Sequence, residues 1–124
     1  MPRRTIPLEF APNCPEREIM SRVMSRWANL SLILLRERTY RFSELRRRIG
    51  NVSEKMLAQA LRILEEDGFV VRFDHREVPP HVDYSLTPMG RELANRLADL
   101  GEWISGSVKK VHAARAKKRV EVRT

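Results

Sequence analysis

The sequence lacks the features that would place it outside a reducing compartment or inside a membrane. One cysteine, Cys14, occurs among 124 residues, so no disulfide can form within the chain. The longest apolar run, residues 32–35, is far shorter than the roughly 20 residues that a membrane-spanning helix needs. The first residues, MPRRTIPLEF, contain no apolar segment of the kind found in secretory signals. We therefore expect a cytoplasmic protein with no membrane association.

Features typical of enzymes are also missing from the sequence. It contains no glycine-rich phosphate-binding loop, and no serine, cysteine or lysine lies beside a plausible catalytic base. His75, His81 and Asp83 are close in the sequence, but no thiolate or third histidine completes a metal-ligand spacing. The sequence therefore predicts no enzymatic activity, no bound metal and no cofactor.

The charge of the chain is unevenly distributed. It has 24 lysine and arginine residues against 16 acidic ones, a formal net charge of +8. Residues 109–124 hold seven of the basic residues and one of the acidic ones, so residues 1–108 carry only +2 (17 basic, 15 acidic). A basic tail binds polyanions without reading their sequence, or is simply a solvated terminus. The length suits one domain, and we expect an irregular arm over 1–13, a domain over 14–108 and this tail.

Apolar residues recur at helical spacing in several segments. Before residue 39 they predict two helices or one kinked helix, with Cys14 at the first N-cap and Trp27 on the apolar face that continues from Val23. Further on they predict a short helix over 42–49, a helix that begins after Ser53, and a long last helix that begins at Thr87-Pro88, with Thr87 as its cap and Pro88 in its first turn. Ser43 and Ser53 are the expected N-caps of the short helix and of the one that follows it.

Two alternating apolar runs, residues 69–73 and 82–86, flank the Pro79-Pro80 tip and predict a β-hairpin. A short helix, a tight turn and a second helix form a helix-turn-helix, and a hairpin directly after it is a wing. The fold is therefore expected to be mainly α with a small β-hairpin wing (α+β), a winged helix-turn-helix.

The helix after Ser53 has a divided polar face. Lys55, Gln59 and Arg62 lie opposite its leucine stripe, and glutamine and arginine pair with adenine and guanine edges in the major groove of DNA. Glu65, Glu66 and Asp67 follow at the other end, where phosphates would repel them. We therefore expect only the N-terminal half to enter the groove. The alternative is an ordinary solvated face.

Other basic and polar side chains are expected to contact the DNA backbone. Ser53 lies at the positive end of a helix dipole, and the preceding helix carries three consecutive arginines, which cannot all share one face. The predicted backbone contacts are Ser53, Arg46, Arg47, Arg72, Arg76 and His81.

Several blocks of the sequence, in order, resemble HxlR-type transcription regulators of the MarR-like winged-helix group. The most specific are SEKML…LRILEEDG and VPPHVDYSLTPMG, and the resemblance covers about residues 14–104. It implies a homodimeric DNA-binding regulator, more often a repressor, in a bacterial or archaeal cytoplasm. Ser25-Arg26 stand where the family commonly has Gly-Lys, which puts a glycine-dependent turn there in doubt.

The resemblance also implies a dimer interface built from the first and last helices. Apolar residues on both helices agree with it: Ile19, Val23, Trp27, Leu93, Leu97, Leu100, Trp103 and Ile104. Alternatively, these helices pack only within one subunit. Two-fold pairing would place the recognition helices about 34 Å apart on an imperfect palindrome.

Cys14 lies where some HxlR-type members carry a cysteine that senses oxidants or electrophiles. The helix dipole and Arg17 favour its thiolate, whereas Glu16 and Glu18 oppose it. The alternative is an inert residue. The effector is unknown, and the competing function is a winged-helix module for protein or for non-specific nucleic-acid binding without operator recognition.

Overall fold

A computed structural model describes residues 12–123 of the chain, which leaves most of the predicted arm outside the described residues. Within this range, five helices and three strands follow one another in the order of the prediction, with one extra strand. Their bounds are α1 Pro15–Val23, α2 Arg26–Leu35, β1 Tyr40–Arg41, α3 Phe42–Ile49, α4 Glu54–Glu66, β2 Val70–Asp74, β3 Val82–Leu86 and α5 Pro88–Arg123. The predicted fold class, a mainly helical winged helix-turn-helix, is confirmed. Within the described range, no helix is long and apolar enough to cross a membrane.

The sheet has three antiparallel strands in the order β1-β3-β2. The hairpin was predicted, and its register pairs Val70 with Leu86 and Asp74 with Val82. Strand β1 was not predicted, because a pair of residues carries no alternating pattern. It joins the other edge of β3 and so connects the wing to the start of α3.

Leucines from α2, α3 and α4 form the centre of the core. Fully buried side chains include Leu32, Leu35, Leu45, Leu57, Leu61 and Leu64. The last three residues of this set lie on one face of α4, at the spacing that the sequence predicted. Their burial fixes which face of α4 points outwards.

Hydrogen bonds at the helix ends confirm three of the predicted caps and correct one. The Cys14 Sγ accepts from the Arg17 amide at 3.4 Å, the Ser53 Oγ from the Met56 amide at 3.1 Å, and the Thr87 Oγ1 from the Gly90 amide at 2.9 Å. The prediction that Ser43 caps the short helix is wrong. Helix α3 begins at Phe42, so Ser43 lies inside its first turn, and the Glu44 carboxylate accepts from the amide of the N-cap residue, Arg41, at 3.1 Å.

The break between α1 and α2 needs no glycine. Ser25 has a φ of −62°, an ordinary value for any residue, and its Oγ donates to the Arg22 carbonyl at 3.1 Å. The doubt raised by the missing Gly-Lys pair is therefore removed. Trp27 belongs to α2, because α1 ends at Val23.

A tight turn joins α3 to α4. Gly50 and Asn51 both have positive φ, 72° and 45°, a region in which glycine is unrestricted and asparagine is tolerated better than most residues. The turn sets the angle between the two helices and exposes the first turn of α4.

Candidate nucleic-acid interface

The N-terminal half of α4 presents two polar side chains, Lys55 and Gln59, towards solvent. Lys55 and Gln59 are exposed, and within residues 12–123 neither side chain makes a hydrogen bond or an ion pair. Arg62 is 67% exposed and lies 3.7 Å from Glu66. The structure thus brings the three predicted base-contacting residues onto one exposed face, opposite the buried leucines.

The acidic end of α4 is held by α1. The Arg22 Nε lies 2.7 Å from the Asp67 Oδ2, and its Nη2 lies 3.1 Å from the Glu66 Oε2. Hydrogen bonds to Asp67 and then to Glu66 raise the pKa of the Arg22 guanidinium above its usual value. Two of the three carboxylates are therefore compensated by α1 at the end of the helix remote from Ser53.

A concave surface on one side of the α4 N-terminus collects three of the predicted backbone contacts. It is lined by Phe42, Ser43, Arg46, Arg47, Asn51, Val52, Ser53 and Glu54. The Arg46 Nε donates to the Val52 carbonyl at 2.9 Å, so this side chain is already engaged by the turn between α3 and α4. Arg47 is exposed and has no polar partner among the described residues.

The third arginine of the run points elsewhere. Arg48 lies 3.0 Å from Glu37, and Glu37 also accepts a hydrogen bond from the Tyr40 hydroxyl at 2.6 Å. That hydrogen bond, more than the charge of Arg48, lowers the pKa of Glu37. Three consecutive arginines thus have three different surroundings, and Arg47 is the one best placed for a phosphate.

A cleft on the other side of α4 separates it from the wing. Its volume is about 590 Å³, and its lining includes Arg41, Arg62, Arg72, Glu65 and Tyr84. Sequence reasoning missed Arg41, because only the pairing of β1 with β3 brings it beside the wing. Burial raises the pKa of the Tyr84 phenol above its usual value. The three arginines make this cleft a favourable place for a phosphate.

Arg76 and His81, the two predicted DNA backbone contacts at the wing tip, differ in how far their side chains are engaged within the subunit. Arg76 is exposed, and its amide donates to the Asp74 Oδ1 at 2.8 Å. The His81 ring lies 2.9 Å from the Asp83 carboxylate, which also contacts His75 at 2.7 Å. The hydrogen bond from His75, more than that from His81, lowers the pKa of Asp83. Arg76 is the more accessible of the two predicted contacts.

Apolar side chains remain exposed on α1 and along α5. Ile19 is 47% exposed, Leu100 42%, Trp103 67% and Ile104 51%. Trp27 and Leu93 are partly buried, whereas Val23 and Leu97 are 6% exposed and belong to the subunit core. After Leu97 no described residue of this 36-residue helix is buried. The predicted interface residues thus fall into an exposed group and a core group.

Comparison with known proteins identifies similar chains over most of this length. Residues 22–112 match the HxlR-like helix-turn-helix family. The HTH-type transcriptional regulator YtfH of Escherichia coli K12 is 54% identical over 106 residues, which cover 86% of this chain and 84% of that protein.

Solved structures agree with these sequence matches. The transcriptional regulator YtfH from Salmonella typhimurium superposes with a TM-score of 0.83 at 51% identity, covering 86% of this chain and 95% of that one. The redox regulator HypR in its reduced form superposes with a TM-score of 0.73 at 30% identity, covering 81% and 99%.

Proposed function

The chain belongs to the HxlR-like helix-turn-helix family of transcriptional regulators, and from that premise we propose that it binds a specific DNA operator as a homodimer and represses transcription. The observation that carries the proposal is the pair Lys55 and Gln59 on the N-terminal half of α4, which are exposed and have no polar partner within residues 12–123. In this proposal these two residues and Arg62 contact base edges in the major groove.

The surroundings of α4 support this orientation. On one side Arg47 and Ser53 flank the exposed helix N-terminus, where amides and the helix dipole favour a phosphate. On the other side Arg41 and Arg72 line the cleft towards the wing. Phosphate contacts on both sides of an inserted helix set its register without reading sequence.

Selection of binding sites from random duplex DNA tests this proposal. We expect an imperfect palindrome, with half-sites about one helical turn apart, and protection that survives an excess of competitor DNA. Non-specific nucleic-acid binding, the competing function, predicts two different results. Binding should show no sequence preference, and this binding should be lost when residues 109–124 are deleted. The deleted protein should keep its preference under our proposal, although its affinity for all DNA should fall.

The homodimer in this proposal uses the exposed apolar residues of α1 and α5. Ile19 on the first helix and Leu100, Trp103 and Ile104 on the last provide apolar area that the subunit itself does not bury. Pairing of these helices around a two-fold axis would remove that area from water, which is the main driving force for association.

Sedimentation of a charged variant tests the dimer. Trp103→Glu combined with Ile104→Glu should give monomers, because two carboxylates per subunit would be buried unpaired. Val78→Glu, at a residue that is 99% exposed on the hairpin, is the matched control and should remain dimeric. A dimer that persists in the first variant contradicts the proposed interface.

Cys14 is the proposed redox-sensing residue. Its thiol caps α1 and is partly exposed, and HypR, a similar fold, is described as a redox regulator. Oxidation by diamide would join the thiols of two subunits, with diamide taking up two electrons and two protons, or would form a mixed disulfide with a small thiol. Diamide should then weaken operator binding by the wild type and leave Cys14→Ser unaffected. An equal response of both proteins contradicts the proposal.

Three further statements belong to the same proposal. The protein acts in the cytoplasm, it has no enzymatic activity, and its chain divides into an arm over 1–13, a DNA-binding domain over 14–108 and a basic tail over 109–124. The tail continues α5 as helix in the described range, so its basic residues project on a helical extension of the domain.

A further inference from the structure

We propose that the tip of the wing contains a binding site for a divalent transition-metal ion such as Zn²⁺, formed by His75, His81 and Asp83. Each of the three residues offers one ligand atom, and these atoms all lie within 4.8 Å of one another. The sequence spacing alone did not predict a metal site, because the register of the hairpin brings the three side chains together.

The distances at this cluster are close to those that an ion requires. The Asp83 carboxylate lies 2.7 Å from the His75 Nε2 and 2.9 Å from the His81 Nε2. Bonds of 2.0–2.2 Å in a tetrahedral zinc site place neighbouring ligand atoms roughly 3.3 Å apart. An opening of about half an ångström between the carboxylate and each nitrogen, together with rotation of one imidazole out of the ring stack, would admit the ion.

The backbone holds the three ligands in place. Asp83 pairs with Phe73 inside the β2–β3 ladder, and the His75 amide donates to the His81 carbonyl at 2.9 Å, one step beyond it. The two imidazole rings stack with their centroids 3.9 Å apart and 21° between their planes, so one ring must turn out of the stack for both Nε2 atoms to direct their lone pairs at one ion. Asp83 lies on a strand, and each histidine lies one residue beyond a strand end and is joined to the other by their backbone hydrogen bond, so the three ligands are positioned more rigidly than they would be on a free loop.

Neighbouring groups provide the support that metal-bound histidines commonly have. The Glu77 Oε2 lies 3.6 Å from the His81 Nδ1, which is the nitrogen that remains when the Nε2 binds an ion. This distance exceeds hydrogen-bond length, but a small rotation of Glu77 would let its carboxylate accept from the Nδ1, orient the ring and increase its basicity as a ligand. The Phe73 ring packs edge-on against His75 at 4.7 Å and gives the cluster an apolar wall.

The donor set indicates the class of ion. Two imidazole nitrogens and one carboxylate oxygen suit Zn²⁺, Ni²⁺ or Cu²⁺ rather than Mg²⁺ or Ca²⁺, which prefer oxygen ligands. Each of the three side chains is only about a quarter exposed, between 23% and 28%. Three protein ligands leave a fourth position for water.

Binding of Zn²⁺ and Co²⁺ to the untagged, metal-stripped full-length protein tests the site without DNA. We expect one ion per chain by calorimetry, and with Co²⁺ the visible absorption of a four-coordinate site. His75→Ala and His81→Ala should each weaken binding by about tenfold or more, because each removes a ligand. Glu77→Gln should have a smaller effect, since it changes only the support of His81.

The third histidine of the chain provides the matched control. His112 is exposed on α5, so His112→Ala should bind the metal ion as the wild type does. Cys14→Ser should also keep wild-type metal binding, which would exclude the thiolate as a ligand. Circular dichroism checks that each variant is folded, and Asp83→Asn removes the carboxylate charge at nearly unchanged shape. Metal affinity that is unaltered in His75→Ala, His81→Ala and Asp83→Asn, or that is lost in His112→Ala, overturns the site.

A consequence for DNA rests on the proposed function. The ion would add positive charge to the wing near Arg72 and Arg76, so Zn²⁺ should raise the affinity of the wild type for its operator and leave that of His75→Ala, which lacks one ligand and is no predicted DNA contact, unchanged. Unaltered operator affinity in a protein that binds Zn²⁺ overturns this consequence. Failure of the proposed function is distinguishable, because it removes operator preference with or without the ion.

Discussion

The two ends of α4 carry opposite charge and have different surroundings. At the N-terminal half, Lys55 and Gln59 are exposed and have no polar partner in the described residues. At the other end, Arg22 binds both Glu66 and Asp67. One end thus has unused hydrogen-bonding capacity, and the other has its charge largely compensated inside the subunit.

This difference explains why a helix with an acidic terminus is compatible with DNA binding. Carboxylates are repelled by phosphates, but a helix presents only part of its length to the major groove. The buried leucines set the rotation of α4 about its axis, and the contacts of Arg22 attach its acidic end to α1. In the proposed complex, the orientation of α4 rather than the net charge of the chain decides which residues meet a base pair.

Removal of the proposed base contacts should have the largest effect of these changes, and it should appear in the discrimination between operator and random DNA. Gln59→Ala or Arg62→Ala should each lower the discrimination between operator and random DNA by about 1–3 kcal/mol, because a bidentate base contact is lost. Competition binding with both DNAs at one salt concentration measures this. Unchanged discrimination in both variants contradicts the placement of α4 in the groove.

A phosphate contact beside the same end should behave differently. Arg47→Ala should weaken binding to operator and random DNA alike by about 1 kcal/mol and reduce the salt slope of the affinity by about 1. Arg48→Ala, whose side chain is engaged by Glu37, is the matched control and should change the slope less. A loss confined to the operator would assign Arg47 to base reading instead.

The Ser53 cap stabilises α4 at the end that is proposed to enter the groove. Ser53→Ala should lower the free energy of unfolding by about 1 kcal/mol, because the Met56 amide loses its acceptor. Ser43→Ala, inside the first turn of α3, is the control and should have little effect. Denaturant unfolding measures both, and an equal loss in both variants would contradict the corrected cap.

Loss of the ion pairs at the acidic end of α4 should have the smallest effect on stability and on DNA discrimination. Arg22→Ala should lower the thermal midpoint less than Ser53→Ala does, since ion pairs that remain partly exposed contribute little. Its discrimination between operator and random DNA should equal that of the exposed-site control Arg91→Ala. Lost discrimination in Arg22→Ala alone would show that the acidic end participates in recognition.

Local sequence signals were sufficient for most elements of the fold. Ser53 and Thr87 act as predicted caps, because each capping hydrogen bond spans only three residues. The leucine stripe of α4 and the alternation in the hairpin are equally local. Ser43 was misassigned because a carboxylate at the third helical position, Glu44, binds the amide before the helix and moves its start to Phe42.

Features that depend on distant residues were not predictable in the same way. Arg22 and Asp67 are 45 positions apart in the sequence, so no spacing rule connects them. Arg41 reaches the wing only because its short strand pairs with β3. His75 and His81 meet only because the register of the hairpin stacks their rings. The predicted roles of the site residues in DNA binding stay predictions.

Photo-crosslinking from two matched positions on α4 tests the central claim most directly. Ala58 and Glu65 are both exposed, line the same cleft and lie seven residues, about 10 Å, apart along the helix. A short-reach photoreactive amino acid at position 58 should crosslink to operator DNA much more strongly than the same group at position 65, which lies in the same cleft but about 10 Å further from the end proposed to enter the groove. Crosslinking from position 65 that equals or exceeds that from position 58 would contradict the claim that only the N-terminal half of α4 enters the groove.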